Sequence, residues 1–317
     1  MSKKIAVIGA GAWGKNLVRN FHDLGALAAV MDPSDSIRDF NASEYGVRTT
    51  DDYQSILDDP AIDGVAIATP VPMHHDMGMR ALKAGKDVYI EKPITHTAAE
   101  CAELVQLADE LGRVLMAGHL LLYQPATSFI KDTIESGQLG DLYGVHLERL
   151  TLGRVRSVES VLWDLGVHDI AVILFLAGGQ SPSDIRAAGH RILRKNLEDD
   201  VYVHFDFPDG TRADLHTSWL WPEMQRRMIV RGSKAMLIYN EVAQTVTLHR
   251  KSIAADLSNV DEGSEVIYEG HGQPLQLELE HFLERMQDRQ APRSDGHSAL
   301  EVMRVLENVS EILASRS

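Results

Sequence analysis

The sequence predicts an α/β protein of two domains. A doubly wound parallel sheet is expected over residues 1–120, and an α+β domain with a large open, mostly antiparallel sheet over residues 121–317. Three observations carry this. Short apolar runs alternate with helical patterns along the first part of the chain, the rhythm of strand–helix–strand crossovers. A glycine-rich turn sits between the first apolar run and the first helical pattern. After His119 the rhythm gives way to successive strands joined by hairpin signals.

The first strand is Ile5–Ile8, and Gly9-Ala10-Gly11-Ala12-Trp13-Gly14 follows it. Asn16, Leu17, Phe21 and Leu24 then start a helical pattern, and Asp32 ends a second strand, Leu27–Met31. Strand, G-x-G-x-x-G, helix, strand, acid is the dinucleotide-binding (Rossmann) fingerprint in its required context. Gly9 allows the tight turn, Gly11 lets the backbone approach a pyrophosphate, and Gly14 lets helix and strand pack closely. The helix N-terminus, with Ala12 and Trp13 leading into it, offers N–H groups to the phosphates. A carboxylate at Asp32 suits the ribose hydroxyls of NAD and would repel the 2′-phosphate of NADP. Arg38 is the nearest cation that could admit that phosphate.

Further strands read as Gly64–Ala68, Val88–Ile90 and Val114–Ala117, with helical patterns at Met73–Ala84 and Ala98–Leu111. Thr97-Ala98-Ala99-Glu100 opens the latter as a capping box. Beyond His119, a helix is expected from about Pro125 to Ser136, a strand at Leu142–Leu152, and a helix from about Leu162 to Ala177, stopped by Gly178-Gly179. Strands follow at Ile185–Ile192, Val201–Phe207, Arg212–Ser218, Met228–Arg231, Ala235–Tyr239, Thr245–His249 and Val266–Tyr268. Pro208-Asp209-Gly210 and Gly232-Ser233 mark hairpin turns. Helices Leu275–Arg289 and Ser298–Ala314 close the chain. A broad sheet covered by helices on one face leaves the other bare, which predicts a homodimer or homotetramer through that face.

Composition narrows the partners. A formal charge of −15 argues against nucleic acid and anionic membrane surfaces. No apolar run is long enough to span a membrane. Met1-Ser2-Lys3-Lys4 leads straight into a strand, and the single Cys101 fits a reducing compartment, so a cytoplasmic location is expected. The fourteen histidines show no H-E-x-x-H or Cys/His spacing, and no metal is expected.

Candidate chemistry sits at the strand ends. Thr69-Pro70-Val71-Pro72-Met73-His74 leaves one strand at the carboxyl edge, where doubly wound sheets bind ligands. His74 reads equally as a cofactor contact or as a helix-start histidine bonded to backbone. Glu91-Lys92-Pro93 ends another strand, and Lys92 there could meet a reacting hydroxyl or stand solvated in a loop. Asp164 and His168, four apart on one helical face, resemble a general acid/base pair in which the carboxylate fixes the imidazole tautomer. They read equally as a helix-start acid and a surface histidine. Asp169 points elsewhere and reads as structural. Arg154 and Arg156 could bind a phosphate, or could be a solvated pair.

Taken in order, Gly9–Gly14, Thr69-Pro70…His74, Glu91-Lys92-Pro93 and Asp164…His168 resemble the Gfo/Idh/MocA family of NAD(P)-dependent sugar oxidoreductases along the whole chain. The resemblance implies that Lys92 and His168 act at the substrate carbinol, with Glu91 and Lys92 at the cofactor, and that the Lys92–Pro93 bond is cis. Gly118-His119-Leu120-Leu121-Leu122-Tyr123-Gln124-Pro125, Leu162-Trp163…His168-Asp169-Ile170 and Ser218-Trp219-Leu220 resemble a subgroup that oxidises nucleotide-linked amino sugars at C3. That implies UDP-N-acetylglucosamine or its uronate as substrate, in amino-sugar and lipopolysaccharide biosynthesis, with a downstream 3-aminotransferase. Tyr123 would line the sugar site, and Arg154 or Arg156 would meet the diphosphate. Either Lys92 or His168 could be the base, and the intrinsic pKa of imidazole favours His168. A free-sugar or inositol dehydrogenase, or a non-enzymatic NAD(H)-sensing regulator, are the alternatives.

Overall fold

The computed structural model describes residues 3–153, 155–270 and 272–315. Two compact units divide the chain: Met1–Leu120 with Gln273–Met303, and Leu121–Gly272 with Arg304–Ser317. The segment 273–303, assigned above to the second domain, therefore packs in the first unit.

The first unit opens with β1 (Ile5–Ile8), α1 (Gly14–Asp23), β2 (Leu27–Met31), α2 (Asp35–Tyr45), β3 (Arg48–Thr50) and α3 (Tyr53–Leu57). It continues through β4 (Gly64–Ile67), α4 (His74–Lys83), β5 (Asp87–Glu91), α5 (Ala98–Leu111) and β6 (Leu115–Gly118). The strands form one sheet in the order β3-β2-β1-β4-β5-β6, parallel throughout. Its inner strands are buried on both faces, which explains the unbroken apolar runs: every residue of β1 and β4 is buried. The edge strand β3 is Arg-Thr-Thr, with no apolar run to announce it.

The second unit holds α6 (Pro125–Glu135), β7 (Leu142–Leu152), a π-turn at Leu162–Gly166 and α7 (Val167–Leu176). Strands β8 (Asp184–His190), β9 (Asp200–Asp206), β10 (Arg212–Ser218), β11 (Leu220–Gly232), β12 (Met236–Asn240), β13 (Thr245–Ile253) and β14 (Asn259–Glu269) follow. They form an eight-stranded sheet, β14-β13-β12-β11-β7-β10-β9-β8, in which only the β7–β10 pair is parallel. Helix α7 packs on β7 and β10, and α6 on β13. Alternation sets the faces: in β9, Val201, Val203 and Phe205 are buried and Tyr202 points the other way, stacked on His216 at 3.8 Å. Strand β14 runs well beyond the expected Val266–Tyr268 into largely polar, exposed residues, and β11 runs beyond Met228–Arg231 into a mixed stretch, 220–227, in which no residue is buried.

The chain then returns to the first unit with α8 (Pro274–Asp288), which packs against α1 and buries Leu279, Phe282 and Met286. Burying each such side chain is worth about 1.5–3 kcal/mol. Helix α9 (Gly296–Ser315) ends the fold. Among the described residues no helix is long and apolar enough to cross a membrane.

Candidate functional site

In the first unit, the glycine loop joins β1 to α1. Gly9 has φ +85°, a conformation open to glycine. A Cβ on Gly14 would fall 1.9 Å from the Gly9 carbonyl oxygen, so no side chain fits there. A Cβ on Gly11 would meet nothing within 4 Å, so the backbone there is open to a ligand. Helix α1 has no acid in its first turn, and Trp13 at its N-cap makes no side-chain cap, so its positive end is not neutralised. These residues fit the pyrophosphate of a dinucleotide.

Asp32, at the end of β2, is buried. One carboxylate oxygen accepts from the Ala10 N–H and the other from the Ser34 N–H, both at 2.9 Å. Each oxygen keeps a second lone pair for a ribose hydroxyl. Arg38 donates to the Asp32 carbonyl at 2.7 Å, and so stands beside the position a 2′-phosphate would need.

The Thr69-Pro70 turn follows β4, and His74 starts α4. The His74 ring is buried, with Nε2 2.8 Å from the Thr69 carbonyl oxygen and Nδ1 3.0 Å from the Pro93 carbonyl oxygen. Burial lowers its pKa, against the pull of those carbonyls. His74 thus ties the Thr69 turn to the Lys92–Pro93 bond, which is cis as the resemblance implies. Both ring nitrogens face backbone carbonyls, to one of which the neutral ring donates, the second of the two readings His74 allowed.

Glu91 ends β5 and collects three donors: Trp13 Nε1 at 2.5 Å, the Tyr89 hydroxyl at 3.2 Å and the Lys92 N–H at 3.3 Å. The glycine loop and the lysine turn are therefore joined through one carboxylate. Lys92 itself is half-buried. Across the sheet, Glu91 pairs with Gly118, so Lys92 and His119 leave β5 and β6 as neighbours. His119 is 3% exposed, and neither ring nitrogen has a hydrogen-bond partner among the described residues. Burial, then the charge of Lys92, pushes its pKa down to about 4. His119 is not among the residues expected at the site, although the signal was present: it directly follows its strand, as Lys92 follows the one beside it.

In the second unit, Tyr123 is buried at the end of a short 3-10 turn, Leu120–Tyr123. Asp164 lies inside the π-turn and His168 in the first turn of α7, so the two straddle a change of helix type. The uniform α-helix behind the four-residue spacing argument is absent there. Asp164 is buried and accepts from Arg156 Nε at 3.3 Å. Arg156, expected to face a diphosphate, is half-exposed and so shares its charge with Asp164. Arg154 lies outside the described residues. Asp169 is structural: Arg149 reaches its two oxygens at 2.8 and 3.0 Å and also contacts Glu241 at 2.9 Å.

Known proteins resemble the chain in sequence and in fold. Residues 3–119 fit the profile of an oxidoreductase family with an NAD-binding Rossmann fold, and residues 128–238 fit the GFO/IDH/MocA C-terminal domain. UDP-N-acetylglucosamine 3-dehydrogenase of Acidithiobacillus ferrooxidans is 30% identical over 71% of this chain and 70% of its own. The scyllo-inositol 2-dehydrogenase (NAD(+)) of Bacillus subtilis is 26% identical over 91% and 87%. A solved structure of the Acidithiobacillus enzyme superposes with a TM-score of 0.88 at 25% identity, covering 99% of both chains.

Proposed function

We infer the reaction from one premise: the chain belongs to the GFO/IDH/MocA family of NAD-binding oxidoreductases. It is an NAD-dependent sugar dehydrogenase, and the substrate we propose is a nucleotide-linked amino sugar, UDP-N-acetylglucosamine, oxidised at its C3 hydroxyl. The observation that carries this choice is the 30% identity to an enzyme of that name, together with a full-length structural match to it.

NAD, when bound, supplies the hydride acceptor. The chain's own residues do the rest. Gly11 and the start of α1 receive the pyrophosphate, and Asp32 takes the adenosine ribose through its spare lone pairs. Thr69, Pro70, Glu91 and Trp13 border the cofactor, and His74 acts by bracing the turn that carries Lys92. Lys92 orients the C3 oxygen and lowers the cost of its deprotonation. His168 takes the proton as general base, an imidazole being suited to proton transfer near neutrality. Asp164 serves His168 indirectly, through the π-turn that sets its position. Tyr123 lines the sugar site, and Arg156 with Arg154 meets the diphosphate. The 3-keto product is a substrate for a 3-aminotransferase. The bare face of the eight-stranded sheet is the surface for a homodimer or homotetramer.

The second reading, a free-sugar or inositol dehydrogenase, is favoured by the inositol enzyme's match over 91% of the chain. One assay separates them: NADH absorbance with UDP-N-acetylglucosamine, its uronate, free N-acetylglucosamine or myo-inositol, with an aminotransferase and amino donor to draw product away. Turnover of a nucleotide sugar, lost in Lys92→Ala and His168→Ala, is the expected result. Turnover of free polyols only would replace the substrate, and NAD binding without turnover of any would favour the regulator.

A further inference from the structure

The Tyr89 hydroxyl lies between two carboxyl groups, 3.2 Å from Glu91 Oε1 and 3.2 Å from Glu278 Oε2. A phenol has one hydrogen, so it donates to one of these oxygens and accepts from the other. An ionised carboxylate can only accept. Were both acids ionised, one contact would set lone pair against lone pair. Water cannot relieve it, since Tyr89 is fully buried and Glu278 is 1% exposed. One acid therefore keeps its proton.

The surroundings decide which. Glu91 has the Trp13 and Lys92 N–H donors besides the phenol, and the Lys92 charge close by. Burial raises its pKa, and all four of those groups oppose the rise. Glu278 has Tyr89 alone, and its Oε1 has no partner among the described residues. Burial and the charge of Glu91 push its pKa well above the carboxylate range. An orphan oxygen is far less costly on a neutral acid than on an anion. The pocket is also shaped for this arrangement. A Cβ on Gly118 would come 2.7 Å from the Tyr89 hydroxyl and 3.0 Å from Glu91 Oε2.

We propose that Glu278 is a neutral carboxylic acid that donates its proton to the Tyr89 oxygen and so aims the Tyr89 hydroxyl at Glu91. Glu278 is then a positioning residue. From α8 it holds Glu91 as the anion that fixes Trp13 of the glycine loop and the backbone of Lys92. The proton placement stands on the geometry alone. Its consequence for NAD rests on the cofactor-site reading given above.

The test uses the whole protein, labelled with nitrogen-15 and carbon-13 glutamate, without cofactor. Its four tryptophans give four indole signals, and Trp13→Phe identifies the one from Trp13. Glu278→Gln replaces the acid O–H with an amide N–H and should leave the Trp13 signal in place. Glu278→Leu and Tyr89→Phe should both move it, and should weaken NAD about tenfold, as expected for one hydrogen bond to a charged group. A Trp13 signal displaced as far by glutamine as by leucine would overturn the proposal. So would a Glu278 carboxyl carbon, assigned by its loss in Glu278→Gln, that titrates with ordinary carboxylates. Moved signals with unchanged NAD affinity would keep the proton placement and overturn the role in the cofactor loop.

Discussion

Lys92 and His119 leave the sheet side by side, because Glu91 and Gly118 are register partners at the ends of β5 and β6. Burial, and then the charge of Lys92, keeps the imidazole neutral, and a neutral ring can both donate and accept. The pKa of His119 falls from 6.5 to about 4 in the folded protein. The unfolded chain therefore binds more protons between those values, and stability declines as pH falls from 6.5 towards 4. The full shift corresponds to up to ~3 kcal/mol. Urea unfolding at pH 7 and pH 5 should show the loss, and His119→Asn should shrink it. An equal pH dependence in the variant would show that His119 is not its source.

Two glycines of the loop should behave differently. Gly11→Ala meets no protein atom, so Tm should hold while NAD affinity falls about tenfold or more, because the added methyl enters the space left for pyrophosphate. Gly14→Ala drives a methyl into the Gly9 carbonyl and should cost ~1–3 kcal/mol or more as well as NAD binding. Thermal unfolding beside NADH fluorescence titration separates the two effects.

Removing the Asp32 carboxylate should act twice. Asp32→Ala orphans the Ala10 and Ser34 N–H groups, at ~1–3 kcal/mol for each that stays buried, and loosens the loop. It also removes the charge that opposes a 2′-phosphate while leaving Arg38 in place. The ratio of NAD to NADP affinity should fall. A ratio unchanged from wild type would remove Asp32 from cofactor selection.

Arg149 offers a contrast from the second unit. Arg149→Met leaves Asp169 buried without its bidentate partner and should cost ~3–5 kcal/mol. NAD affinity, a property of the first unit, should not change. Calorimetry and a cofactor titration on the same sample check both parts.

What could be read from the chain follows the physics of each element. Strands β1 and β2 announce themselves, because a buried parallel strand must be apolar along its length. The glycine loop is legible because each glycine answers a local steric demand. Strand β3 is silent, because an edge strand of Arg-Thr-Thr, paired with β2, carries no apolar run. The π-turn is hidden because Leu162–Gly166 carries the composition of an ordinary helix. Glu278 is hidden most deeply. On a helical pattern it looks like any charged residue of an amphipathic face, and only tertiary packing sets it beside Tyr89, 189 residues earlier.

The late return of α8 has a consequence for biosynthesis. Tyr89 meets Phe282 with ring centroids 5.9 Å apart, Asp87 pairs with Arg289, and the Ala117 carbonyl accepts from Ser294. The Tyr89 and Phe282 rings are tilted against each other, and each of these is a contact between an early stretch of the chain and one of its last. A nascent chain that has emerged only to residue 120 thus has all six strands of its sheet but an unfinished core. The intervening 152 residues, 121–272, must leave the ribosome before the sheet's closing helix is available. The first domain to be translated therefore waits for nearly the whole chain before it can be finished, and its exposed apolar side makes a natural client for chaperones during synthesis.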